Sequence, residues 1–276
     1  MARIAAVQLS PVIADLPANR AKAAAAIAQA FEAGADIVVL PELATTGYVF
    51  ESMDELRSVA LSLDSAVFAE WATLASARAN SVVIAGFAEA GDDGAIYNSA
   101  AVVTAAGVVG VYRKVHLWDQ EKLFFTPGSD APLVIDTAHG RLGVMICFDL
   151  EFPEWTRIAA LAGVEILFVP TNWPYVSRPD GERAPEVQIG MAAARVNRMA
   201  VVCADRAGAE RGVEWNEGTC IIDADGWVVD AVGAGDGVAW ADIDAAESRD
   251  KQLAELSSAF ADRRPDLYSS ITRLAP

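Results

Sequence analysis

Leu142-Gly-Val-Met-Ile-Cys-Phe-Asp-Leu-Glu-Phe-Pro-Glu-Trp155 is the stretch on which the reading of this chain turns. Residues 142–146 are apolar, partly β-branched and uncharged, which is the pattern of a short buried strand. Cys147 stands where that strand ends. Asp149, Glu151, Pro153 and Glu154 follow at once, and a proline among acidic residues is how a helix begins. The Cys therefore falls between a buried strand and a helix start, where strand ends open onto a ligand crevice. The partial positive charge of a helix start favours a thiolate there. A plain structural role suits the same residue, because a free Cys is commonly a small buried hydrophobe.

Two other stretches bear on that choice. Residues 37–42, Ile-Val-Val-Leu-Pro-Glu, read as an apolar strand ending in a carboxylate. Residues 108–114, Val-Val-Gly-Val-Tyr-Arg-Lys, read as an apolar strand ending in a cation. Each charge taken singly is readily a side chain leaving a strand for solvent. Together, three strands deliver Glu42, Lys114 and Cys147 to the same kind of place. A base, a cation and a thiol are the minimal set for covalent attack on a carbonyl.

On three runs the chain resembles the nitrilase, or carbon-nitrogen hydrolase, superfamily. They are Leu40-Pro-Glu-Leu-Ala-Thr-Thr-Gly-Tyr48, Tyr112-Arg-Lys-Val-His-Leu117 and Gly143-Val-Met-Ile-Cys-Phe-Asp149, in the family's order and spacing. The strand pattern around them agrees from Arg3 to about Asp244. The resemblance implies a triad of Glu42, Lys114 and Cys147. It also implies an α/β (α+β-like) fold, a four-layer α-β-β-α sandwich with two mixed β-sheets. Pattern alone reaches only α/β or α+β with two sheets.

The chain has 276 residues, which suits one large domain or two small ones. No short-period repeat, linker or composition break divides it, so residues 1–276 are expected to form a single domain with a tail from about 245. At 53% hydrophobic and 21% charged it can bury a large core. A net charge of -17, without a basic run, argues against nucleic acid and anionic membrane as partners. The 3 cysteines are widely spaced without a C-x-x-C, as in reduced thiols of a cytoplasmic protein. Cys203 and Cys220 lie in apolar strands and read as buried and inert. The 2 His are far apart, so no metal site and no cofactor is expected. The start lacks a signal segment, and no stretch is long enough to span a bilayer.

Along the chain, helices are expected over residues 19–33, with Ala24, Ile27 and Phe31 inward, and 65–79, with Val67, Trp71 and Leu74 inward. Two more follow over 153–162 and 186–198. Strands are expected over 3–9, 37–42, 81–88, 97–104, 108–114, 133–136, 142–146, 165–170, 200–205, 219–223, 227–232 and 237–243. The strands 97–104 and 108–114 make a hairpin. Residues 43–54 and 116–128 read as loops, and the second is long enough to line a site.

The chemistry that follows is amide cleavage. Glu42 takes the Cys147 proton, and Lys114 and the Phe148 N–H stabilise the oxyanion. A thioester forms and water releases it, with a small-molecule amide as substrate. By the resemblance, Glu121, ahead of Phe124, Phe125, Pro127 and Gly128, contacts the lysine. Read from the residues alone, it is a solvated loop carboxylate paired with Lys122. Tyr48, Trp118, Asn172 and Trp173 are candidates to shape the pocket, or are ordinary packing. His116 holds a strand end. Phe148-Asp149 resembles amide-cleaving branches, where nitrilases proper carry Trp-Glu. The run Leu150-Glu-Phe-Pro-Glu-Trp155 resembles aliphatic amidases more than the carbamoyl-amino-acid branch. The alternatives are a nitrilase, an N-carbamoyl amidohydrolase and a non-catalytic homologue. The resemblance further implies a homodimer or higher homo-oligomer packed through residues 153–162 and 186–198.

Overall fold

The structure is a computed structural model and describes residues 1–273. Its centre is two six-stranded mixed sheets. The first contains β1 (Ala2–Gln8), β2 (Ile37–Val39), β3 (Val82–Ala90), β4 (Ile96–Thr104), β5 (Gly107–Arg113) and β14 (Gly237–Ile243), in the order β14-β1-β2-β3-β4-β5. The second contains β6 (Leu133–Thr137), β7 (Gly140–Val144), β8 (Ile166–Pro170), β9 (Ala200–Ala204), β12 (Cys220–Ile222) and β13 (Val228–Ala231), in the order β13-β12-β9-β8-β7-β6. In each sheet three central strands run parallel, β1-β2-β3 and β7-β8-β9, and their neighbours run antiparallel. The central strands β2, β8 and β9 are buried at every position. A strand covered on both faces reads as an unbroken apolar run, and these do.

The helices cover the outer faces. On the first sheet lie α1 (Leu16–Glu32) and α3 (Ala66–Ala75), whose Ile27, Phe31, Phe68 and Trp71 share a core with Val38, Val83 and Phe87. Ile4, Ile37, Ile84 and Val102 point the other way, into a core shared with Val144, Phe168 and Val202 of the second sheet. There α5 (Pro153–Leu161) and α6 (Pro185–Asn197) form the fourth layer. The α-β-β-α order is the expected one. Among the described residues no helix is long and apolar enough to cross a membrane.

Most strand bounds agree with expectation to within two residues, and the helices correct it in detail. α1 begins three residues early, because the Asp15 carboxylate accepts the Ala18 N–H (3.0 Å) and Pro17 sits in the first turn. Its buried stripe is Asn19, Ala23, Ile27, Ala30 and Phe31, so Ala23 takes the place expected of Ala24. α3 is capped by Ser65 but stops at Ala75, and Leu74 is only partly buried. A short helix, α2 (Met53–Val59), was not anticipated. Its signal was present: Ser52 accepts the Glu55 N–H at 3.2 Å, a Ser-x-x-Glu start. The hairpin β10 (Ala209–Glu210) and β11 (Val213–Glu214) was also missed, being too short for any periodicity. Residues 245–273 form 3₁₀ turns and a small hairpin, β15 (Gln252–Ala254) with β16 (Ser257–Ser258).

Candidate active site

Glu42 follows β2 by three residues. The chain there presses on β3, where a Cβ on Gly86 would lie 2.5 Å from Glu42 Cα and from Leu43 N. Only glycine allows that approach. Leu43 adopts φ 49°, which turns the backbone sharply and leaves the Glu42 side chain fully buried. Glu42 Oε1 accepts hydrogen bonds from Lys114 Nζ and Asn98 Nδ2, both at 2.7 Å. Glu42 Oε2 has no partner among the described residues.

Lys114 is the residue after β5. Its ammonium also donates to Glu121 Oε1 at 2.7 Å, so one buried lysine bridges two carboxylates. Glu121 opens the single-turn helix α4 (Glu121–Phe124) inside the expected loop. It accepts from the Tyr48 hydroxyl and, at 3.2 Å, from the Trp118 N–H. Its partner is therefore Lys114 and not Lys122.

Cys147 comes three residues after β7 and starts a 3₁₀ turn, Cys147–Glu151. Its φ is 47°, a left-handed conformation that costs a non-glycine residue about 1–3 kcal/mol and persists only where neighbours impose it. Asp149 is that neighbour. Its carboxylate accepts the Ile146 N–H (3.1 Å), the Tyr112 hydroxyl (2.8 Å) and the His116 N–H (2.9 Å), and pairs with His116 Nδ1 (2.6 Å). Tyr112 and His116 flank Lys114 by two residues on either side. Asp149 thus ties the turn carrying the thiol to the strand end carrying the cation. His116 is stacked on Phe152 with centroids 3.8 Å apart, which makes it part of the same clamp.

The remaining candidates divide. Asn172 is central: Nδ2 donates to the Glu42 backbone carbonyl (2.9 Å), its own backbone carbonyl lies 3.9 Å from Cys147 Sγ, and Oδ1 is buried without a partner among the described residues. Tyr48 touches Glu121. Trp118 packs edge-on against Phe148 (4.8 Å) and is 40% exposed, at the rim. Trp173 is buried in the apolar core, its ring 3.0 Å from where a Gly218 Cβ would be. Cys203 and Cys220 are buried, opposite each other on β9 and β12. Sequence reading passed over Asn98, whose signal is an amide inside an apolar strand. It also passed over Asp205, fully buried after β9, which accepts from Thr171 and from the Trp173 N–H, both at 3.0 Å.

Burial sets the charge states. It raises the Glu42 carboxyl to about 7, with the Glu121 charge adding to the rise and Lys114 opposing it. Burial alone would lower Lys114, but Glu121 and Glu42 outweigh it and hold the ammonium well above its usual range. Cys147 departs from expectation. The helix start was expected to favour a thiolate, yet desolvation, Glu42 and Glu121 push the thiol well above its ordinary value against the pull of Lys114. A five-residue turn cannot offset removal of the sulfur from water. The resting group at Cys147 is therefore a thiol.

The chain matches the family described as carbon-nitrogen hydrolase over residues 3–251. It is 36% identical over 271 residues to a protein of Pyrococcus abyssi named nitrilase, covering 97% of this chain and 99% of that one. It is 35% identical over 287 residues to the citrullinase of Francisella tularensis, covering 98% of each. A solved structure of a mutant of the amidase from Nesterenkonia sp. AN1 superposes with a TM-score of 0.75 at 26% identity, over 92% of this chain and 95% of that one. In that structure the acetamide moiety of fluoroacetamide is covalently added at the active site cysteine. The chain belongs to the carbon-nitrogen hydrolase family and is an enzyme acting on carbon–nitrogen bonds other than peptide bonds.

Proposed function

We propose that this chain hydrolyses the C–N bond of a small carboxamide through a thioester on Cys147. The observation that carries this is the buried Glu42–Lys114–Glu121 cluster within electrostatic reach of the Cys147 thiol, with Glu42 Oε2 unpartnered. As Sγ attacks the carbonyl carbon, the thiol proton passes to Glu42 and the π electrons move to oxygen. Lys114 and the Phe148 N–H, free of an intrahelical partner so early in its turn, receive that oxyanion. Collapse breaks the C–N bond, and Glu42 returns the proton to the departing nitrogen. Water then adds to the thioester, losing its proton to Glu42. The C–S bond breaks and the proton returns to sulfur. A carboxyl near 7 serves both as base and as acid, which is what the double transfer needs.

Amide cleavage is favoured over nitrile hydrolysis by the residues after the nucleophile, Phe148-Asp149, where nitrilases proper carry Trp-Glu. Glu42 is the acid in place to protonate the departing nitrogen. The amidase of Nesterenkonia, which carries a covalent adduct at its cysteine, supports the thiol as nucleophile here. An ammonia-release screen over carboxamides, ureido compounds and nitriles is the test. It ends on a matched pair, one carboxamide and the nitrile of the same skeleton. A higher kcat/KM for the carboxamide is expected, and a higher value for the nitrile would overturn the reading.

The working unit is proposed to be a homodimer or larger. α5 and α6 leave Ile158, Leu161 and Val196 at 42%, 45% and 50% exposure, an apolar face that a second copy would cover. Ala193 and Ala194 face inward and do not contribute to it.

A further inference from the structure

Beyond the triad, a second buried ion pair lies behind the site. Arg206 and Glu210 are 1% and 3% exposed, with Nη1 to Oε2 at 2.9 Å. We propose that this pair is a positioning device for the catalytic centre: it holds Tyr48, and Tyr48 holds Glu121 against Lys114.

Arg206 is fixed to the scaffold. It bridges Leu9 at the end of β1, and its Nη2 donates to the Pro11 carbonyl at 3.1 Å. Glu210 turns that anchorage toward the loop. Its Oε1 accepts two successive N–H groups, Tyr48 at 2.8 Å and Val49 at 2.6 Å. The loop is pressed onto the carboxylate, since a Cβ on Gly47 (φ 77°) would lie 2.6 Å from Glu210 Oε2. The Tyr48 ring is held edge-on by Trp215 at 5.4 Å, and Arg206 lies over that same Trp215 at 4.5 Å. The far end of Tyr48 then donates to Glu121 Oε1, the oxygen that also takes the Lys114 proton donor. Residues 43–50 contain no helix or strand, so without these bonds nothing regular places the hydroxyl. Buried ion pairs are weak contributors to stability, and their best-attested use is to enforce one arrangement over others. Here the arrangement enforced is at the reacting centre.

The inference rests on the proposed thiol chemistry, so its readout is one that needs no substrate. The groups facing Glu121 are Lys114 and Tyr48 by contact, with Glu42 acting on the same lysine. The Tyr48 hydroxyl donates to the Glu121 carboxylate. Losing it leaves the Glu121 charge less compensated, and that charge raises the Glu42 carboxyl, so Glu42 should hold its proton to higher pH. The experiment measures the rate of Cys147 alkylation by iodoacetamide from pH 5 to 9, resolved from Cys203 and Cys220 by peptide mass spectrometry. Tyr48→Phe is expected to lower the rate at neutral pH about tenfold and to move the acid limb upward by about one pH unit. Glu210→Gln should do the same with a smaller amplitude. The double variant should add nothing to Tyr48→Phe, because both act through one hydroxyl. Should Glu210→Gln fail to fold, Arg206→Lys, which keeps the charge but not the fork, replaces it with the same expectation. If Glu210→Gln or Arg206→Lys leaves rate and limb as in the parent, or if the effects add in full, the positioning role is wrong. Absence of selective Cys147 labelling in the parent protein would instead overturn the thiol mechanism itself.

Discussion

The two sheets are built to one plan and used differently. Each has an antiparallel edge strand, three parallel strands and two antiparallel strands, β14-β1-β2-β3-β4-β5 against β6-β7-β8-β9-β12-β13. Even local detail repeats. β2 leads into Pro41 and then Glu42, while β8 ends on Pro170 and leads to Asn172, whose side-chain amide donates to the Glu42 backbone carbonyl at 2.9 Å. Yet in the proposed mechanism the first half supplies the base and the cation, and the second supplies the thiol. The frame determines where strand ends converge, and single residues at those ends determine what happens there. The outer layers differ as well. α1 and α3 bury their apolar faces within the chain, whereas α5 and α6 leave one open.

Substitutions test that division of labour, beginning with the largest effect. Cys147→Ala should reduce turnover by about 10⁴-fold or more with the fold retained. Activity within tenfold of the parent in a folded variant would break the assignment of the thiol to the second half. Glu42→Gln and Lys114→Met should each approach that loss, and combining them with Cys147→Ala should cost little more, as for residues acting as one unit. Lys114→Met also leaves two carboxylates facing each other without a cation, at about 3–5 kcal/mol of stability. Multiplicative losses in kinetics would contradict a shared centre.

The pH profile sharpens the same point. Glu42 must be ionised to accept the thiol proton, and burial places its pKa at about 7. Hydrolysis should therefore fall as pH drops through 7 and hold on the alkaline side, where the raised Cys147 and Lys114 values keep both groups protonated. Glu42→Gln should remove that limb. A parent profile flat down to pH 5 would show that another group is the base.

Next in size is Asp149→Asn, which weakens the clamp between the halves without touching the triad. A misplaced nucleophile is worth about 100-fold in kcat, so kcat should fall while KM changes little. Unchanged kcat would mean that the left-handed turn at Cys147 is held by packing alone. The smallest kinetic effect is expected from Leu161→Glu on the open α5–α6 face. Light scattering should show smaller particles than the parent, with the chemistry per folded subunit largely kept. A parent protein already monomeric at micromolar concentration would refute the oligomer.

Much of this was legible in the residues. The buried parallel strands announced themselves as apolar runs, and β2 and β7 lead to Glu42 and Cys147, while Lys114 comes just past the antiparallel edge strand β5. What periodicity cannot show is long-range pairing. Asp149 makes three of its four clamp bonds only because Tyr112 and His116 fold onto it, and Glu210 reaches the Tyr48 N–H across more than 150 residues of chain. The duplicated sheet plan is equally silent, since it lies in strand direction and not in a short sequence repeat. The thiolate expectation failed for a related reason. Helix position was readable, but the depth of burial that outweighs it was not.

The thioester on Cys147 can be observed directly. A carboxamide selected by the ammonia-release screen is mixed with the parent enzyme, quenched in acid during turnover and analysed by peptide mass spectrometry. The expected result is the acyl mass, without its nitrogen, on the peptide holding Cys147 and on neither of the other two cysteines, with none formed by Cys147→Ala. Ammonia release at the parent rate from Cys147→Ala, or turnover whose acyl group is found on another residue, would contradict it.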